Sequence, residues 1–190
     1  GGYYGQVEIP TQKVGDFELQ LDVATNASGT MRATTALMVN GQKAITASGN
    51  LNDSTAVNPF MLDFKMFHFP LSVVNPFLPT GTAKLTGWLN GTMDVVGSMT
   101  DPQFNGYLQF DSTTVNVTML GTPFRFSDTK IPVDSSIASF SDFQILGVNE
   151  NPLKINGQVN FRSLSDPSLK LNMTARDMQL VGSKKQPRAQ

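Results

Sequence analysis

Apolar and polar residues alternate with a period of two along most of this chain. Phe17, Leu19, Leu21 and Val23 are interleaved with Glu18, Gln20 and Asp22, the pattern of a strand with one buried face. Phe60, Leu62, Phe64 and Met66 alternate with Met61, Asp63 and Lys65. Leu89, Met93 and Val95 share parity with Gly91, opposite Asn90, Thr92 and Asp94. Val115 and Val117 continue the pattern, followed by Phe124 and Phe126 around Arg125, then Leu153 and Ile155, Val159 and Phe161. Leu169, Leu171, Met173 and Ala175 stand opposite Lys170, Asn172, Thr174 and Arg176.

Turn signals separate these runs at Asn40-Gly41, Asn58-Pro59, Asp101-Pro102, Asn105-Gly106, Asn156-Gly157 and Asp166-Pro167. Asn-Gly favours tight hairpin turns because both central residues need positive φ. Ten to twelve strands fit, so the expected class is all-β. A helix is hinted at only between Pro70 and Pro79, where three prolines in ten residues allow a turn or two at most. A faint repeat relates Ala47 to Ser54, Val96 to Pro102 and Phe161 to Pro167. Each is a strand ending in an apolar residue, a small polar one and Asp, followed by a turn and another alternating strand. Irregular periods sharing one strand–turn–strand unit suggest stacked hairpins, each touching its neighbours. No second domain boundary is visible. Residues 1–182 read as one segment of a longer protein and 183–190 as a polar tail or cut end.

Composition supports this picture. Only 15% of the 190 residues are charged, against about 25% in an average soluble domain. Ser, Thr, Asn and Gln fill the deficit, which suits pleated strands better than long solvated helices. A formal net charge of −1 leaves no basic stripe to neutralise phosphates, so no nucleic-acid partner is expected. The absence of cysteine removes disulfides, thiolate metal sites and cysteine nucleophiles together. No run approaches the roughly 18 apolar residues of a membrane-spanning helix.

Candidate chemistry is sparse. His68, the only histidine, lies between Phe67 and Phe69 and reads as a strand histidine at the edge of an apolar cluster. No HxH or HExxH spacing accompanies it. The aspartates are scattered singly; Asp101 and Asp166 precede prolines, which turn initiation explains. Gly81, Gly87, Gly91 and Gly97 lack the Gly-Lys-Ser/Thr ending of a phosphate loop and suit turns, bulges and close backbone approach. No catalytic residue, metal site or cofactor is expected, and the chain reads as non-enzymatic.

From Phe69 onward the order of features is distinctive. The run Phe69 to Pro79 precedes Leu85-Thr86-Gly87-Trp88-Leu89-Asn90-Gly91-Thr92-Met93-Asp94-Val95-Val96-Gly97-Ser98. Next comes Asp101-Pro102-Gln103-Phe104-Asn105-Gly106-Tyr107-Leu108-Gln109-Phe110. Gly121 leads the Phe124-Arg125-Phe126 strand, and Phe140 to Ile145 and Leu153 to Phe161 follow. This series resembles the C-terminal domain of TamB, the inner-membrane-anchored component of the translocation and assembly module in the AsmA-like superfamily. The Phe-, Asn- and Thr-rich style is similar to a Bacteroidetes member. The resemblance spans roughly residues 69 to 180, with 1–68 read as earlier repeats of the same sheet. Neither the membrane anchor nor the terminal segment that would engage an outer-membrane partner is recognisable in the sequence.

The resemblance implies an elongated, curled, antiparallel-rich sheet, taco-shaped in section, with an apolar interior open along one side. It also implies a periplasmic location within an inner-membrane-anchored envelope protein, and a role in moving phospholipid between the two membranes, in assembling outer-membrane proteins, or in both. Its partners would be phospholipid acyl chains and, through other parts of the parent, an outer-membrane assembly partner. Open sheet edges offer a route to self-association.

Alternation by itself says that one face is buried, not against what; a β-sandwich core produces it equally. Nine Met and thirteen Phe against one Trp suit a surface that meets mobile acyl chains, or simply fill a core. The candidate groove-lining residues are Leu89, Met93, Val95, Leu108, Phe110, Val115, Val117, Phe124, Phe126, Ile155, Val159, Phe161, Leu169, Leu171 and Met173. The alternative is a β-sandwich adhesion or glycan-binding module of a bacterial surface protein, with Tyr3, Tyr4, Trp88 and Tyr107 as its few aromatics. A third reading is a scaffold that captures client strands at an open sheet edge.

Overall fold

The computed structural model describes residues 2–9, 12–25, 30–51, 60–98, 101–163 and 166–178. Among them, twelve strands form one antiparallel sheet. They are β1 (Gly2–Ile9), β2 (Gln12–Thr25), β3 (Met31–Val39), β4 (Gln42–Leu51), β5 (Phe60–Pro70), β6 (Ala83–Gly97), β7 (Pro102–Val117), β8 (Thr122–Phe126), β9 (Ile131–Asp134), β10 (Ile137–Leu146), β11 (Pro152–Asn160) and β12 (Ser168–Ala175). Each strand pairs with the next in sequence, except that β8 and β9 lie end to end between β7 and β10. The two halves of this interrupted strand are bridged at residues 127–130. There the Ser127 N–H donates to the Gln144 carbonyl at 2.8 Å, and the Gln109 side chain donates to the Asp128 carbonyl at 2.7 Å. The expected class therefore holds, and the described residues before 69 join the same sheet as β1 to β5.

A 3₁₀ helix, Leu71–Phe77, is the one helix among the described residues, and it contains Pro76. It lies where the proline-rich run predicted a short turn. Leu71 and Val73 are buried; Val73 packs with Val39 and Ala44, and Phe17, Ile45 and Phe69 surround them. Asn75 holds the helix to the start of β6 by mimicking a strand. Its side chain donates to the Leu85 carbonyl at 2.8 Å and accepts the Leu85 N–H at 2.7 Å.

Two of the three described Asn-Gly pairs marked as turns are not turns. Asn40-Gly41 is one, with φ of 51° and 76° joining β3 to β4. Asn105-Gly106 lies inside β7 and Asn156-Gly157 inside β11. Asn58-Pro59 falls outside the described residues. The in-strand pairs answer a different need. In β10, Ser141 and Asp142 together oppose only Asn156, a bulge in which Asp142 takes φ 52° and its N–H donates to Asn156 Oδ1 at 2.8 Å. The same device recurs in β5: Phe67 and His68 oppose Asn90, His68 takes φ 44°, and its N–H donates to Asn90 Oδ1 at 2.8 Å. In both, the Asn side chain satisfies an amide that the extra residue removes from the ladder. The glycine that follows lets the next strand close in: a Cβ on Gly157 would stand 2.1 Å from the Lys170 carbonyl oxygen.

These bulges reset the alternation. Met66 and Phe69, and likewise Phe140 and Phe143, share a face although three positions separate them. The sheet also curls. Phe104 on β7 and Phe161 just beyond β11 meet with ring centroids 5.6 Å apart, although β9 and β10 lie between their strands. Ser136, fully buried in the β9–β10 turn, ties the two. Its N–H donates to the Phe104 carbonyl at 2.9 Å, its carbonyl accepts the Phe161 N–H at 3.0 Å, and its hydroxyl accepts the Phe104 N–H at 3.2 Å.

Candidate functional site

The apolar side chains of nearly every strand share one face of the sheet. Directly opposed residues of an antiparallel pair point the same way, so the register traces this face from strand to strand. Leu19 opposes Leu37, Leu37 opposes Ile45, and Ile45 opposes Met66. Further on, Phe64 opposes Met93, Val95 opposes Phe104, and Leu108 opposes Ile131. The opposite, outer face carries polar and charged residues such as Asp63, Lys65, Asn90, Gln109 and Lys154. There Lys130 sits 4.3 Å over the Tyr107 ring.

Register puts fourteen of the fifteen candidate lining residues on the apolar face, and Phe161, just beyond β11, packs against the cluster there. Met93, Val95, Leu108, Phe110, Phe126, Ile155, Val159 and Phe161 pack in or against one cluster built on Ile131, Val133, Ala138 and Phe143. Leu89 opposes Phe110, Val115 opposes Phe124, and Val117 opposes Thr122. At the far edge Leu169, Leu171 and Met173 oppose Val159, Gly157 and Ile155.

The face is not uniform. In its middle it is a closed aromatic core, where Phe143 has Phe110, Phe126 and Phe140 at centroid distances of 5.9, 6.0 and 5.7 Å. Towards the ends of the sheet it is open: Leu19, Leu21, Val23 and Met31 on one side, and Leu169 and Met173 on the other, are exposed. Val23, Leu169 and Met173 are 53%, 63% and 58% exposed. Between β7 and β12 the face opens into a recess of about 610 Å³, lined by Val115, Phe124, Phe126, Ile145, Leu153 and Ala175, with Asp177 and Met178 also on its wall. That volume is typical of a small-molecule site. The chain leaving β12 is bent onto the recess by Asn149 and Asn151, whose side chains both donate to the Asp177 carbonyl; Asp177 itself takes φ 51°.

Several residues of the apolar face stand outside the candidate set. Ile145 and Phe143 sit beyond the β10 bulge, where period two breaks. Ile131 and Val133 lie in a strand of only four residues, too short to show a period. Leu153 and Ala175 do carry the pattern and oppose each other across β11 and β12.

His68 lies in the β5 bulge, with its side chain exposed beside Trp88 (rings 5.9 Å apart, edge-on) and its Nε2 3.3 Å from Asp111 Oδ2. The Ser112 hydroxyl donates to the same carboxylate at 2.9 Å. The acid thus stands between hydroxyl and imidazole, the reverse of the order in which a base activates a hydroxyl nucleophile. Among the described residues no group of three or more His, Asp or Glu side chains is placed to hold a metal ion, and no helix is long and apolar enough to cross a membrane.

Compared with known proteins, the chain matches no family model, no curated protein and no solved structure.

Proposed function

We propose that the open apolar face is a lipid-holding groove. In this reading the chain is a periplasmic segment of a TamB-like protein that conducts phospholipid between the inner and outer membranes, assists outer-membrane protein assembly, or does both. One observation carries it: the apolar face runs on past its packed core to exposed Leu19, Leu21 and Val23 at one end and exposed Leu169 and Met173 at the other. Monomeric soluble proteins rarely leave an extended apolar patch uncovered unless something binds there. The recess bounded by Phe124, Phe126 and Leu153 gives that surface a concave part.

The energetics suit acyl chains. Moving a chain of about 15 methylenes out of water is worth on the order of 12 kcal/mol, at ~0.8 kcal/mol each. The open stretches of the apolar face and the recess recover part of this wherever an acyl chain can lie, without a nucleophile or a bond change.

The test is native mass spectrometry with lipid extraction on protein purified from bacteria without detergent. Co-purifying phospholipid, lost in a Leu169→Asp, Met173→Asp double variant whose circular dichroism is unchanged, supports the groove. Protein free of lipid that instead retains glycans through its exposed aromatics refutes it in favour of an adhesion or glycan-binding module.

A further inference from the structure

Among the described residues, the turns at one rim of the sheet present exposed apolar side chains. The β7–β8 turn places Met119 almost wholly in solvent, 91% exposed, and the β10–β11 turn leaves Val148 48% exposed. The connection from β5 to β6, on the same rim, exposes Phe77. On the opposite rim the described turns carry the polar or charged residues Asp101, Ser135, Arg162 and Asp166, with Arg162 and Asp101 paired at 3.8 Å.

The apolar recess lies at the first of these rims. Val115 and Phe124, on its wall, flank the turn that carries Met119; Ile145 and Leu153 flank the turn that carries Val148; Met178 lies on the wall itself. In the sheet order the two turns are two strand spacings apart, about 10 Å at ~4.8 Å per strand. Of the charged side chains at this rim, Arg125 and Glu150 pair with each other, and Asp177 stands on the recess wall.

We propose that this rim docks on the surface of a phospholipid bilayer, with Met119 and Val148 entering the apolar boundary at the mouth of the recess. Single apolar tips on separate turns, each among polar neighbours such as Thr118 and Asn149, do not form the contiguous packed anchor that a protein partner engages. They suit a fluid apolar medium into which each tip inserts alone. The position of the mouth gives the contact a use: an acyl chain leaving the bilayer meets the recess without crossing water. That use rests on the groove reading of the apolar face; the contact itself does not.

The experiment is flotation of the purified chain with phosphatidylcholine vesicles, whose zwitterionic headgroups minimise attraction by charge. The variants are Met119→Glu with Val148→Glu, and, as a control, Met61→Glu, which alters an exposed apolar side chain on the outer face. Wild type and Met61→Glu are expected to float equally, and the double variant to bind at least about tenfold more weakly, the scale set by one exposed apolar side chain of this size. A fluorescent fatty acid should still enter the recess in all three. Equal flotation of the double variant, or no flotation of the wild type, overturns the proposal. So does a concentration-dependent dimer in sedimentation that the double variant abolishes in place of vesicle binding, because the rim would then join two copies. Vesicle binding that responds as expected while no variant takes up fatty acid refutes the groove and leaves the docking rim standing.

Discussion

Replacing Phe143 by alanine separates the packed middle of the apolar face from its open ends. Phe143 is 3% exposed and touches three other phenylalanines within 6.0 Å. Truncating a buried Phe to Ala costs about 3–5 kcal/mol, from lost transfer energy and the cavity left behind. The upper part of that range is expected, because Phe110, Phe126 and Phe140 come from strands already fixed by the ladder and cannot collapse into the void. For a chain of this length an m-value near 2 kcal/mol per molar urea is reasonable. The unfolding midpoint should then fall by roughly 2–2.5 M. Met173→Ala, at 58% exposure on the same face, should move it by less than about 0.3 M, since exposed positions rarely exceed ±0.5 kcal/mol. Urea titration followed by far-ultraviolet circular dichroism reads both. A shift below about 0.5 M for Phe143→Ala would refute the reasoning, because the aromatic cluster would then be a solvated wall and the sheet would lack a core in its C-terminal half.

Three further outcomes follow from the backbone. Asn75→Ala removes both bonds to Leu85 and should cost about 1–3 kcal/mol, with faster hydrogen exchange at the Leu85 amide as its local mark; unchanged exchange there would mean that the helix is held by Val73 alone. Asn90→Ala and Asn156→Ala each strip one bulge amide of its acceptor and should destabilise by similar amounts, about 1 kcal/mol each; thermal melts showing one effect without the other would break the equivalence of the two bulges. Gly106→Ala would set its Cβ 2.0 Å from the Thr92 carbonyl oxygen at φ 152°, whereas Gly41→Ala at φ 76° meets nothing within 4 Å. The first should prevent folding or cost well over 3 kcal/mol, and the second about 1 kcal/mol, from the left-handed backbone alone; expression and urea midpoints distinguish them.

The sequence by itself determined the class and the faces. Alternation is set by the pleat, so Leu169, Leu171 and Met173, or Phe60, Leu62 and Phe64, could share only one side of a strand. The run of hairpins with almost no helix followed from the alternation and from the prolines between residues 70 and 79. Tertiary structure decided where alternation stops being a guide. Asn105-Gly106 and Asn156-Gly157 have the chemistry of a hairpin turn, yet each serves a bulge or a close strand approach, because a neighbouring segment offers an amide outside the ladder that the Asn side chain accepts. The bulges at His68 and Asp142 depend on strand partners distant in sequence, so Phe143 and Ile145 could not be assigned to the apolar face from their own neighbourhood. Curvature was expected from the resemblance but not readable from the alternation: Phe104 and Phe161 stand 57 positions apart, and the buried Ser136 turn ties their strands together. Whether an apolar face becomes a core or an open surface depends on that bending. Local sequence fixes which side chains share a face, but only the paired sheet fixes how far that face closes on itself.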